Sequence, residues 1–118
     1  MTELISRDDL ERAIDAGAVT VVDALGGIYF EQQHLPGAIP LVEADVATQA
    51  PILLPDKDAP IVTYCSNPAC PNSQAVANLL TRAGYTDVRK YRDGIQDWVA
   101  AGLPTESGEY AAPEEAAV

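Results

Sequence analysis

The sequence predicts a single α/β domain with a mainly parallel central sheet and helices on both of its faces. Short runs of β-branched and other apolar residues alternate with longer segments that carry apolar residues at helical spacing, a pattern typical of successive β-α units. The runs over 19–24 and 60–64 are apolar almost throughout, as expected of strands that are covered on both faces. The 118 residues are enough for one hydrophobic core.

The N-terminal part of the chain predicts an edge strand, a helix and a buried strand. Leu4-Ile5 is a short apolar pair that fits an edge strand. Ser6 follows as the N-cap of a helix, with Asp9 three residues later in a capping-box arrangement. This helix has apolar residues on one face and ends near Gly17. Residues 19–24 then form a predicted strand that is covered on both faces.

The segment that follows this strand is less regular. Gly26-Gly27 interrupts the chain, and residues 29–33 fit one turn of helix. The pattern over 42–55 leaves two alternatives open, because its first half fits a helix whereas Pro51 and Pro55 restrict its second half.

The C-terminal part predicts two further pairs of a strand and a helix. The strand over 60–64 leads into a loop and a helix that begins at Ser73 and ends at Gly84. Residues 88–91 form the next strand, and Asp93 caps the last helix. In parallel sheets of this kind, sites form where the carboxyl ends of the strands meet.

The folded unit is expected to span residues 1–104, and residues 105–118 are expected to form an acidic, disordered C-terminal tail. This tail holds four acidic residues, no basic residue and little that it could bury. The whole chain has a net charge of −11, from 18 acidic and 7 basic residues. Its general field therefore repels nucleic acid and anionic membranes, and we expect neither as a partner.

The location that the sequence indicates is the cytoplasm. No apolar run approaches the length that spans a membrane, and the chain starts with Met1-Thr2-Glu3, unlike a signal peptide. Thiols stay reduced in the cytoplasm. Cys65 and Cys70 are therefore expected to be reactive or inert rather than partners in a structural disulfide.

Cys65 is the strongest candidate for chemistry in this chain. It follows the strand over 60–64 directly and opens a loop that leads to the N-terminus of a helix. Backbone N–H groups and the helix dipole favour a thiolate at such a position, and the thiolate is the nucleophilic form of cysteine. The expected active-site loop comprises Ser66, Asn67, Pro68, Ala69, Cys70, Pro71, Asn72 and Ser73.

Asp23 and Arg92 are further candidates for support of the site or contact with a substrate, because they lie at the ends of predicted neighbouring strands. Asp23 either orients the cysteine loop or satisfies buried backbone N–H groups. Arg92, with Arg89 or Lys90 as helpers, is the nearest cation in the sequence for an anionic substrate.

Cys70 admits several roles. Its C-x4-C spacing from Cys65 suits a resolving or auxiliary thiol, a bystander role is equally open, and its proximity to Ser73 also allows it to be the main nucleophile. A zinc site made from both cysteines and His34 lacks a fourth ligand and paired ligand motifs, so we predict no metal and no cofactor. His34 is expected to be a turn residue that is hydrogen-bonded to the backbone.

Three segments, in the same order along the chain, resemble the rhodanese (thiosulfate sulfurtransferase) family. The first, over 30–41, contains His34-Leu35-Pro36-Gly37-Ala38 and is similar to the family's aromatic-x-x-x-His-aliphatic-Pro-Gly-Ala signature. The second is the unit of strand, Cys65, loop and helix. The third, over 91–104, is similar to the family's Gly-Gly-x-x-x-Trp-x-x-x-Gly-x-Pro ending. The resemblance implies a single-domain rhodanese-like protein.

A sulfurtransferase is the activity that this resemblance implies. Cys65 would take a sulfane sulfur as a persulfide and pass it to a nucleophile, while the amides of the loop hold the persulfide without a cofactor. The donor would be a small sulfur compound or a protein persulfide, and the acceptor a thiol or cyanide. We expect the protein to act as a monomer.

The sequence departs from the family's pattern where the family usually has positive charge. The loop after Cys65 is longer than usual and has no charged residue, and Asp23 is followed by Ala24 instead of arginine. A second hypothesis is therefore a weakly catalytic rhodanese-like binding or thiol-redox module that uses the Cys65/Cys70 pair. Phosphatases and arsenate reductases of related architecture need an arginine six positions after the cysteine, and position 71 is proline.

Overall fold

Within residues 2–110, the part of the chain that the computed structural model describes, five parallel strands form the central sheet. The strands are β1 (Glu3–Leu4), β2 (Thr20–Asp23), β3 (Ile39–Pro40), β4 (Ile61–Tyr64) and β5 (Val88–Tyr91). Their order across the sheet is β1-β5-β4-β2-β3, and every pairing is parallel. The strand that leads to Cys65, β4, therefore lies at the centre of the sheet.

Helices cover both faces of this sheet. Those of the described residues are α1 (Arg7–Asp15), α2 (Gly27–Gln32), α3 (Val46–Leu53), α4 (Asn72–Arg82) and α5 (Gly94–Ala100). Buried residues of α3 and α4 form a core on one face, and buried residues of α1, α2 and α5 form a core on the other. The predicted α/β fold, with a parallel sheet between two layers of helices, is thus confirmed. None of these helices is both long and apolar enough to cross a membrane.

The side chains of β4 alternate between the two cores. Ile61 belongs to the core made with α3 and α4, whereas Val62 and Tyr64 belong to the core made with α1, α2 and α5. All four residues of the strand are buried, as predicted for a strand with both faces covered. Because the alternation continues past the end of β4, Cys65 returns to the first core, which it shares with Val76 of α4.

Several element boundaries agree with the sequence pattern or differ from it only slightly. The Oγ of Ser6 accepts the N–H of Asp9 at 3.1 Å, which confirms the predicted N-cap of α1. The edge strand β1 starts one residue earlier than predicted. The ambiguous segment contains a 3-10 turn over Glu43–Asp45 and then α3, which accommodates Pro51 inside the helix.

The predicted cap of α4 is wrong, and that of α5 is confirmed in position only. Helix α4 begins at Asn72 with Pro71 at the N-cap position, so Ser73 lies buried inside the first turn instead of capping it. The fixed φ of proline suits the start of a helix, and this allows α4 to start before the serine. Asp93 does occupy the N-cap position of α5, but its side chain makes no capping hydrogen bond.

Residues 105–110 run along the segment that follows α2. Glu106 exchanges two backbone hydrogen bonds with His34, at 2.9 and 2.8 Å, and its carboxylate accepts the N–H of Gly37 at 2.9 Å. The first six residues of the predicted tail therefore contact the domain, beyond the predicted boundary at 104. The rest of that predicted tail, 111–118, lies outside the described residues.

We expect a chain that ends at Pro104 to be less stable than one that ends at Tyr110. The shorter chain loses the hydrogen bonds of Glu106 and that of the Gly108 N–H to the carbonyl of Glu31. At about 1 kcal/mol for each hydrogen bond, the loss in free energy of unfolding is roughly 2–4 kcal/mol. Urea denaturation followed by circular dichroism measures the difference, with the chain ending at Tyr110 as the matched control. Equal free energies for the two chains would show that residues 105–110 add no stability.

Candidate functional site

Cys65 lies at the carboxyl edge of the sheet, in the first position after β4. Three strand ends are in register here, because Tyr64 pairs with Asp23 of β2 on one side and with Tyr91 of β5 on the other. The residues that follow these strands, Arg92 among them, reach the same edge. The predicted convergence of the three segments is thus confirmed.

The loop that follows Cys65 is shaped by Asn67. Its side-chain oxygen accepts the N–H of Ala69 at 2.9 Å, and its backbone carbonyl accepts the N–H of Cys70 at 3.1 Å. These two hydrogen bonds close a compact turn at the tip of the loop. The turn brings the chain back so that the backbone of Cys70 contacts the thiol of Cys65.

The N-terminus of α5 supports the start of the loop. The N–H of Ile95 donates to the carbonyl of Cys65 at 2.9 Å, and the N–H of Gln96 donates to the carbonyl of Ser66 at 3.0 Å. Gly94 makes this approach possible, because its φ is +76° and an added Cβ would lie within 2.6 Å of backbone atoms of Cys65 and Ser66. Sequence reasoning did not assign this role to Gly94. The one sequence feature that could have indicated this role is the presence of a glycine at the start of the last helix.

The thiol of Cys65 faces hydrogen-bond acceptors at the base of the loop. Cys65 is 2% exposed, and its S–H donates to the carbonyl of Cys70 at 3.3 Å, while its Sγ lies 3.5 Å from the Oγ of Ser73. Burial, and next the interaction with the Cys70 thiol, raise the pKa of Cys65, although the hydroxyl and N–H of Ser73 oppose the rise. The prediction that the loop favours a thiolate on Cys65 is therefore wrong, because a buried sulfur beside a carbonyl oxygen favours the S–H form.

Cys70 has the electrostatic environment that the sequence reasoning assigned to Cys65. It is a free thiol, half-buried and more exposed than Cys65. Burial by itself raises the pKa of Cys70, but the interaction with the Cys65 thiol and then those with the backbone of Asn72 and Ser66 outweigh burial, so the pKa is lowered. Negative charge in this pair of thiols is therefore favoured on Cys70.

Asp23 is a buried link between chain segments. Its Oδ1 accepts the N–H groups of Leu25 and Gly26 at 2.8 and 3.2 Å, and its Oδ2 accepts the hydroxyl of Tyr64 at 2.6 Å. The same hydroxyl accepts the N–H of Leu35 at 3.1 Å. Asp23 is 0% exposed and satisfies buried N–H groups, which is one of the two roles that the sequence left open.

The three cations considered for anion binding differ in their contacts. The Nε of Arg89 lies 3.8 Å from the carboxylate of Asp87, and Lys90 donates to the side chain of Gln74 at 3.1 Å. Arg92 is exposed at the edge of the sheet, and among residues 2–110 its side chain has no hydrogen-bond or ion-pair partner. Its contact with a substrate stays a prediction.

His34 lies apart from the cysteine loop. Its Nδ1 is 2.6 Å from the carbonyl oxygen of Phe30, and the two rings stack with 3.8 Å between their centroids. Phe30 belongs to the core on the other face of the sheet from Cys65, so the predicted structural role of His34 is confirmed. In the described part of the chain, no three His, Cys, Asp or Glu side chains are grouped so that they could hold a metal ion.

Comparison with known proteins identifies relatives of the chain. A family model described as "Rhodanese-like domain" matches residues 6–101. The HTH-type transcriptional regulator Rv0324 of Mycobacterium tuberculosis is 34% identical over 106 residues, which are 90% of this chain and 46% of that protein. The uncharacterized protein YibN of Escherichia coli K12 is 30% identical over 108 residues, which are 90% of this chain and 73% of YibN. The chain thus spans less than half the length of the first relative.

Solved structures share this fold. The BH2092 protein from Bacillus halodurans superposes with a TM-score of 0.80 at 24% identity, over 90% of this chain and 77% of that one. Thiosulfate sulfurtransferase from Pseudomonas aeruginosa gives 0.76 at 20% identity, over 97% of this chain and 22% of that one. A structure described as "rhodanese with anions from E. coli" gives 0.64 at 25% identity, over 77% of this chain and 100% of that one. The first two likenesses show the fold alone.

Replacing Gly94 with alanine should disturb the cysteine loop more than an equally strained replacement elsewhere. Gly102 is the matched control, since its φ is +75° but an added Cβ meets nothing within 4 Å. We expect Gly102→Ala to lower the free energy of unfolding by about 1 kcal/mol, from the positive φ alone, and Gly94→Ala to lower it by about 2 kcal/mol more. Urea denaturation measures both. Equal losses would show that the contact between Gly94 and the loop is not tight.

Asp23→Asn should remove a pH-dependent loss of stability. Burial, opposed by the hydrogen bonds from Tyr64, Leu25 and Gly26, raises the pKa of Asp23. The folded protein therefore keeps this carboxyl protonated where the unfolded chain ionises it, so wild-type stability falls as pH rises from about 4 through the folded-state pKa. The free energy of unfolding of the variant, relative to wild type, should rise across this window in urea titrations. A difference that does not change with pH would contradict the raised pKa.

Proposed function

Because the chain belongs to the rhodanese-like domain family, we propose that it is a sulfurtransferase that holds sulfane sulfur as a persulfide on Cys65. The position of Cys65 is the observation behind this proposal. It leaves the central strand β4 and enters a loop that folds back onto its thiol. The acceptor of the sulfur is a thiol in the cell or cyanide in an assay.

Loading of the sulfur is a nucleophilic displacement. Cys65 gives up its proton, the thiolate attacks the sulfane sulfur of the donor, and the donor leaves with the electron pair of the broken bond. The hydroxyl and N–H of Ser73 both favour the charged form of Cys65, so we assign Ser73 the role of activating it. Because burial raises the pKa of Cys65, the loading rate should increase as pH rises above neutral.

The neutral loop favours a donor other than thiosulfate. None of residues 66–73 is charged, and the whole chain carries a net charge of −11, so a small dianion is repelled at long range. A persulfide on a small thiol, or on another protein, avoids this repulsion. The proposed setting is a reducing compartment such as the cytoplasm, where both cysteines stay free, and the proposed working form is a monomer that binds neither nucleic acid nor membrane.

A thiol-redox module with little turnover is the second candidate function. The observation that favours it is that the loop holds two free cysteines together, with the carbonyl of Cys70 3.3 Å from the Sγ of Cys65. Closure of a disulfide between them would remove two hydrogens, a mass loss of about 2 Da. Intact-mass spectrometry after mild oxidation tests this candidate, and an unchanged mass with both thiols still free would contradict it.

The Cys70→Ser variant, in which Cys65 is the one remaining thiol, tests the sulfurtransferase directly. Incubation with glutathione persulfide should add one sulfur atom, about 32 Da, and cyanide should remove it again. Intact-mass spectrometry measures both steps. The variant with serine at both cysteine positions is the control and should gain nothing. If the Cys70→Ser variant also gains no mass, Cys65 is not a persulfide carrier.

A further inference from the structure

We propose that Cys70 is a second sulfur-carrying residue, which receives the sulfane sulfur from Cys65 and delivers it to a cysteine of an acceptor protein. The proposal rests on the persulfide chemistry proposed above for Cys65. It adds a residue to the reaction and names the class of acceptor. The burial of Cys65, the greater exposure of Cys70 and the turn that brings the two residues together lead to it.

The two thiols differ in how accessible they are to a reaction partner in solution. Cys65 is 2% exposed, and the carbonyl of Cys70 lies over it at 3.3 Å from its Sγ. Cys70 is half-buried and directly follows Pro68 and Ala69, the exposed tip of the loop. A small persulfide or cyanide needs only a slight opening of the loop to meet Cys65. A cysteine on the surface of a folded protein meets Cys70 first.

The loop brings the two cysteines together. The carbonyl of Cys70 lies 3.3 Å from the Sγ of Cys65, and the Cys70 side chain packs against the core cluster that contains Cys65. Burial raises the pKa of Cys70, but the interaction with the Cys65 thiol and those with the backbone of Asn72 and Ser66 together outweigh burial and lower it, so Cys70 supplies the thiolate that attacks.

The transfer step needs no oxidant. The Cys70 thiolate attacks the outer sulfur of the Cys65 persulfide, the bond between that sulfur and the Cys65 Sγ breaks, and Cys65 leaves with the electron pair. The proton of the S–SH group moves to the Cys65 thiolate. The products are a Cys65 thiol and a Cys70 persulfide anion, so atoms and electrons balance. A thiolate of the acceptor protein then attacks the outer sulfur on Cys70 in the same way.

Mapping of the sulfur tests the step within the loop. Wild-type protein is loaded with glutathione persulfide, blocked with iodoacetamide and digested with trypsin. Both cysteines lie in one tryptic peptide, 58–82, so fragment ions that end between residues 66 and 69 assign the sulfur to Cys65 or to Cys70. We expect the added sulfur, about 32 Da, on both residues.

A comparison of two acceptors tests the delivery. Loaded wild type and loaded Cys70→Ser are mixed either with cyanide or with a folded carrier protein that has one surface cysteine. In the variant, the rate to the carrier protein should fall about tenfold more than the rate to cyanide, because the exposed thiol is missing. Cys70→Ala should give the same ratio, and circular dichroism verifies that both variants are folded.

Three outcomes overturn the proposal, and they are distinguishable. Sulfur on Cys65 alone, with an unchanged ratio of the two rates, removes the role of Cys70 but leaves the proposed function intact. No sulfur on either cysteine removes both. A loss of about 2 Da with release of hydrogen sulfide means that Cys70 attacks the Cys65 Sγ and closes a disulfide, which favours the thiol-redox module.

Discussion

The hydrogen bond from the Tyr64 hydroxyl to the buried carboxyl of Asp23 fixes the edge of the sheet on which the site is built. It joins β4 to β2 at the last residue before Cys65. The other oxygen of Asp23 holds the turn into α2, and the Tyr64 hydroxyl also accepts the N–H of Leu35 from the segment that leads to β3. Loss of either partner would leave buried polar groups unsatisfied, at about 1–3 kcal/mol each. The orientation of Cys65 therefore depends on this pair.

Backbone dipoles, rather than charged side chains, decide which thiol of the loop is ionised. Residues 66–73 contain no charge, so the local field comes from N–H and C=O groups whose directions are set by the Asn67 turn and by α5. A carbonyl faces the thiol of Cys65, and interactions with the backbone of Asn72 and Ser66 help to lower the pKa of Cys70. A neutral loop of this kind can stabilise a single negative charge on sulfur, but it lacks the charge-assisted donors that a phosphoryl dianion needs.

The sequence predicts the parts of this structure that depend on burial and misses the parts that depend on backbone geometry. The continuous apolar run of β4 predicts a central strand, and Cys65 follows this run directly in the sequence. Strand β3 has only two residues and therefore no periodicity. Residues 105–110 are held partly by backbone hydrogen bonds, which composition does not display. The direction of the Cys70 carbonyl is a property of the folded loop, so its effect on Cys65 could not be predicted.

The opposite pKa shifts of the two cysteines suit opposite halves of a sulfur transfer. A thiolate with a higher pKa is the stronger nucleophile once it has formed, whereas a thiol with a lower pKa is the better leaving group. Cys65, whose pKa is raised, is suited to taking sulfur from a donor. Cys70, whose pKa is lowered, is suited to leaving when an acceptor attacks the outer sulfur. A loop with a single cysteine must compromise between these two demands, whereas two cysteines can assign one demand to each. In the transfer between them the thiol with the higher pKa must leave, so that step depends on how closely the loop holds the two residues.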